Sequence, residues 1–144
     1  MKLPRFLLGA AAVVALASAI SSCGGGSDNS SANASASNES AIVNLTSDTP
    51  IAPDANLPIV IDFNAKWCGP CQAFAPTFDA VARQLKGKAI FMSVNVDNSP
   101  AAAQQFGVSA IPQISILMPD GTVETTVGLK TKAELLQFLG PIAR

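Results

Sequence analysis

The chain has 144 residues, nine basic and ten acidic side chains, no histidine, three cysteines and a net charge of −1. That balance holds no basic cluster of the kind that engages nucleic acid, and without an imidazole a closed tetrahedral zinc site would need two carboxylates or a second chain beside Cys68 and Cys71. The length leaves room for one domain and no second once two N-terminal segments are set aside.

Residues 1–22 read as a secretory signal: Lys2 and Arg5 form a basic start, Phe6 to Ile20 an apolar stretch, and Ile20-Ser21-Ser22 a small-residue approach to Cys23. The apolar stretch is marginal for a membrane span, which needs about 20 such residues. Ile20-Ser21-Ser22-Cys23 is similar to the bacterial lipobox, which implies cleavage before Cys23 and lipidation of that cysteine. An ordinary signal peptide with a spare cysteine and an uncleaved anchor are the alternatives. Gly24 to Ser40 is almost wholly Gly, Ser, Asn and Ala and buries too little apolar surface to offset its ordering entropy. Residues 23–40 are thus expected to be a lipidated cysteine and a flexible tether, reaching roughly 20–25 Å.

Residues 41–144 are expected to form the folded domain. Ala41 to Thr46 predicts an edge strand, and Thr46 to Leu57, with Pro50 and Pro53, a loop or broken helix. Pro58 to Phe63 is a short apolar run suited to a strand buried on both faces. Gln72 to Leu85 places Phe74, Phe78, Val81 and Leu85 at helical spacing before Gly87, with Pro76 expected to kink the helix. Ala89 to Val96 predicts a second buried strand, and Ser99-Pro100 opens a short helix through Phe106. Ile114 to Met118 and Thr122 to Val127 predict a hairpin turning at Asp120-Gly121. Thr131 caps a closing helix whose Leu135, Leu136, Phe138 and Leu139 face the sheet.

The residues with chemistry are gathered at the end of the central strand. Cys68 and Cys71, two residues apart at a strand-to-helix turn, can reach each other's sulfurs and cycle between dithiol and disulfide. The first thiol faces the free N–H groups and positive end of the helix, which stabilise a thiolate below the free pKa of about 8.5. Cys68 is therefore expected to be the exposed nucleophile and Cys71 the deeper resolving thiol. Asp62 lies within the apolar strand, where burial should raise its pKa well above about 3.9 unless it sits solvated at the strand end. Trp67, the single tryptophan, flanks the dithiol and suits a semi-exposed platform for a partner. Met92 and Met118 are expected in the core.

Trp67-Cys68-Gly69-Pro70-Cys71, after an apolar strand that holds one Asp, resembles the active-site signature of the thioredoxin family. The resemblance runs from about Ala41 to the C-terminus and implies an α/β fold of the thioredoxin type, a mixed β-sheet with helices on both faces. Pro76, five residues past the second cysteine, stands where that family also has a proline. The resemblance implies that Asp62 lies beneath Cys71 as general base, that the Ile111–Pro112 bond is cis and faces the cysteines, and that the Ile111 backbone pairs with bound polypeptide. Gly69 and Pro70 would border the same substrate. Three positions depart from the family: Asn64 stands for its tryptophan, Ser93 for a lysine near the buried aspartate, and Gln113 for the threonine after the cis proline. Without the lysine, Asp62 is expected to titrate higher than the family norm.

The implied function is a thiol–disulfide oxidoreductase that needs no cofactor beyond the Cys68–Cys71 couple. It would reduce protein disulfides from the cell envelope, anchored by lipid on its periplasmic or extracellular side, as a monomer re-reduced by a membrane electron donor. The alternatives are an envelope oxidase or isomerase, and a binding module that keeps the cysteines as a static disulfide or metal clip.

Overall fold

The computed structural model describes residues 40–144, so the expected signal peptide, the expected lipidation site Cys23 and the expected tether up to residue 39 lie outside the described residues. Within them the chain runs β1 (Ile42–Leu45), β2 (Ile59–Asn64), α1 (Gly69–Gln84), β3 (Ile90–Asn95), α2 (Pro100–Gln105), β4 (Gln113–Leu117), β5 (Val123–Val127), α3 (Lys132–Phe138) and α4 (Gly140–Ala143). The five strands form one mixed sheet in the order β1-β3-β2-β4-β5. β3 pairs parallel with β1 and β2, whereas β4 pairs antiparallel with β2 and β5.

β2 lies at the centre of this sheet, and its side chains alternate between two cores. Val60 points to a cluster with Phe74, Phe78 and Val81 of α1 and with Leu135 and Leu139 at the closing helices. Ile59, Ile61 and Phe63 point the other way, to Ala102 of α2 and to Phe106 and Ile51. Both faces are covered, which is why the strand reads as a continuous apolar run. The pleat puts Asp62 on the Val60 side, facing α1.

Residues 46–58 form no helix, which decides between the two readings of that stretch. Their backbone is held by α2. The Gln105 side-chain amide receives the Ile51 N–H and donates to the Ile51 carbonyl, both at 2.7 Å. Asp48 accepts the Ala101 N–H at 2.7 Å, and Ser99 donates its hydroxyl to the Ser47 carbonyl at 3.1 Å. With those groups paired, the buried Ile51 reaches the core without a regular element.

α1 continues through Pro76, so the proline does not divide it. The closing helix is divided where one was expected, because Gly140-Pro141 starts a further turn after Leu139. At its start Thr131 accepts the Glu134 N–H, and Glu134 accepts the Thr131 N–H in return. Met92 and Met118 are half-buried against the two cores.

Candidate active site

The helix α1 begins one residue after Cys68. Cys68 is its N-cap, with extended backbone angles, and Pro70 lies within the first turn, where its missing N–H costs nothing. The Cys71 N–H therefore points at Cys68 Sγ, 3.2 Å away. The two cysteines form a disulfide across Cα atoms 5.3 Å apart. The turn is fastened on its outer side, where Gln72 donates its amide to the Lys66 carbonyl at 2.6 Å.

The expected difference in exposure between the cysteines is absent in this oxidised state. Cys68 is 5% exposed and Cys71 3%, because the pair packs among Ala65, Val96 and Ile111. What distinguishes them is the backbone: only Cys68 occupies the cap and receives an N–H of the helix start. Gly69 and Pro70 are exposed above it.

Ile111 and Pro112 meet this surface from the loop before β4. Their peptide bond is cis, and the Ile111 carbonyl lies 4.0 Å from Cys68 Sγ. Trp67 stands beside them, 70% exposed, and with Val96, Ala103, Val108 and Ile111 it borders an apolar groove of about 330 Å³. Its indole N–H donates to Asp97 Oδ2 at 3.0 Å, which fixes the ring although it projects into solvent. Asp97 was not among the residues singled out from sequence. It follows β3 in a polar turn, and nothing in hydrophobic spacing distinguishes a carboxylate that reaches an indole from one that is merely solvated. Gln113 turns away from the dithiol, donating to the Phe106 carbonyl at 3.2 Å and lying 3.4 Å from Ser115 Oγ.

Behind the cysteines a cleft of about 540 Å³ is lined by Asp62, Asn64, Lys66, Cys71, Gln72 and Ser93, among others. Asp62 is 4% exposed, and burial pushes its pKa up to about 6 while the Asn64 amide pulls it back. The placement within the sheet, not at its solvated end, accounts for the direction. A carboxyl whose pKa is raised by burial thus borders the same cleft as Cys71. Among the described residues no group of three or more metal-ligating side chains is assembled.

Comparison with known proteins agrees with this arrangement. Residues 42–140 match the sequence model of the Thioredoxin family. A thioredoxin from Streptomyces clavuligerus is 38% identical over 103 residues, covering 70% of this chain and 94% of that protein. Thioredoxin 1 from Nostoc sp. is 40% identical over 86 residues, 60% of this chain and 80% of its own length, and a thioredoxin from Haemophilus influenzae is 37% identical over 89 residues, 62% and 83% respectively. The matched stretch contains every strand of the sheet, the disulfide and the cis-proline loop, and on that ground the chain belongs to the thioredoxin family and is a thiol–disulfide oxidoreductase.

Proposed function

We propose that the protein reduces protein disulfides in the cell envelope, tethered through a lipid on Cys23 and recharged by a membrane electron donor. The observation that carries the redox half of this reading is the Cys71 N–H aimed at Cys68 Sγ beside an exposed tryptophan and a cis-proline loop. Cys68 thiolate attacks one sulfur of the target disulfide, and the other target sulfur leaves as a thiolate that takes a proton from water. Cys71 then gives its proton to Asp62 and attacks Cys68 Sγ. The target leaves with two electrons gained, and the Cys68–Cys71 disulfide forms with two lost.

Polypeptide would lie along the Trp67 groove, its backbone against Ile111, with Gly69 and Pro70 at the edge. A reducing direction is supported by the loop between the cysteines. Gly69 and Pro70 carry no side-chain donor or charge, and the chain has no histidine, so the dithiol lacks the added stabilisation that makes strong oxidants of this superfamily. The envelope half of the reading rests on Ser21-Ser22-Cys23 after an apolar stretch and on the Gly/Ser-rich segment that follows.

Two measurements test the two halves. Cys71→Ser should accumulate mixed disulfides with target proteins and Cys68→Ser should not; equal trapping by both variants removes Cys68 as the nucleophile. Mass spectrometry of the mature protein should find Cys23 as a lipid-modified N-terminal residue, and an unmodified Cys23 removes the anchor.

A further inference from the structure

The cleft behind the dithiol holds an arrangement that the redox couple itself does not explain. Asn64 follows Asp62 by two residues on β2, so both side chains project from the same face of the sheet. Its Nδ2 lies 3.1 Å from Asp62 Oδ2, 3.2 Å from the Asp62 carbonyl and 2.8 Å from Ser93 Oγ. Ser93 is the register partner of Asp62 on β3. An amide nitrogen carries two hydrogens. Two hydrogens thus serve three acceptors, the Asp62 carbonyl, Asp62 Oδ2 and Ser93 Oγ, of which Ser93 is the nearest. Asp62 Oδ1 is buried and has no hydrogen-bond partner among the described residues.

We propose that Asn64 is a positioning residue for proton transfer: by bracing Asp62 Oδ2 against β3 it fixes the carboxyl plane and leaves Oδ1 as the atom that takes the Cys71 proton. The inference rests on the redox reading above. A proton on either oxygen removes the buried charge, but on Oδ1 it leaves the Asn64 bond to Oδ2 intact, whereas on Oδ2 it would compete with that bond. The brace acts without adding charge. The other charged side chains at the cleft are Lys66, from the turn before α1, and Asp79 on α1, which pairs with Arg83 at 2.9 Å. β1 contributes the neutral Asn44, β3 the neutral Ser93, and the register partner of Asp62 on β4 is Ile114. The Asn64 amide is thus the single polar donor bonded to the Asp62 side chain among the described residues.

The test is a carbon-13 NMR titration of the Asp62 carboxyl in the oxidised full chain, paired with the pH profile of mixed-disulfide resolution. Asn64→Leu, similar in size and without a donor, should move the carboxyl midpoint upward by about one pH unit and carry the resolution profile with it. Ser93→Lys, which sets an ammonium beside the same carboxyl, should move both downward. If Leu prevents folding, Asn64→Ala reads the same upward direction. An unmoved midpoint in a folded Asn64 variant overturns the proposal, as does a moved midpoint with an unmoved resolution profile. The carboxyl titration needs no turnover, so a wild-type protein unable to exchange disulfides would overturn the functional reading and leave the titration to judge the brace by itself.

Discussion

A carboxyl buried in the cleft that Cys71 also lines ties stability to pH, and in the proposed mechanism to the resolving step as well. Asp62 has a folded-state pKa of about 6 against an ordinary value of 3.8, so between those two values the folded protein holds a proton that the unfolded chain has lost. Stability therefore falls as pH rises through that window, and the full penalty persists above it, about 2–3 kcal/mol by linkage. Asp62→Asn should accordingly be more stable than the wild type at pH 8 and no more stable at pH 4, measured by urea unfolding. At the same time it should slow resolution and flatten its pH dependence between pH 6 and 9. Equal stability of the two proteins at pH 8 would contradict the buried-charge account. At this scale the pairing of the motif cysteines and the burial of Asp62 were legible in the sequence, because two cysteines at a fixed spacing and a polar residue in an apolar run are conspicuous there, whereas the cis bond before Pro112 was legible only through the family resemblance. The low exposure of Cys68 was not, since it depends on Val96 and Ile111, distant in sequence and packed over the disulfide. Asn64 stood out as a departure, but its bond to Ser93 spans 29 residues and follows from the parallel register of β2 and β3.

The elements themselves were marked by local signals. Apolar runs located β2 and β4, helical spacing located α1, Thr131 marked the start of α3, and Asp120-Gly121 marked the hairpin, where Gly121 adopts a φ of 86°. What the sequence left open was the segment between β1 and β2. Its prolines argued against a regular helix, yet the partner that replaces helical hydrogen bonds, Gln105, is 54 residues away. This clamp makes a direct prediction. Gln105→Ala leaves the Ile51 N–H and carbonyl without their partners and should cost about 1–3 kcal/mol in urea unfolding. The Cys68–Cys71 pair is not bonded to Gln105, so the exchange rate of the folded variant should equal that of the wild type. An unchanged unfolding midpoint would mean that solvent serves the Ile51 backbone equally well. The division of the closing helix at Gly140-Pro141 was legible in those two residues and was missed because the apolar spacing through Leu139 suited one element.

Across the whole molecule, the proposed compartment and the active-site chemistry favour opposite directions of electron flow. Export places a protein where disulfides persist, which favours an oxidant. The strongest oxidants of the superfamily reach about −120 mV and thioredoxin about −270 mV; at about 30 mV per 1.4 kcal/mol, the difference is roughly 7 kcal/mol of dithiol stabilisation. Cys68 here has one helix-start N–H at 3.2 Å and the Ile111 carbonyl at 4.0 Å, and Gly69 and Pro70 between the cysteines supply no cation. One backbone donor to a sulfur is far short of that magnitude. A reducing protein outside the cytoplasm must be recharged across the membrane, and this is why an electron donor accompanies the proposal. Equilibration of the protein with glutathione buffers, followed by separation of the dithiol and disulfide forms, measures the Cys68–Cys71 potential directly: a value below about −220 mV is predicted, and a value above about −180 mV would contradict the reducing role.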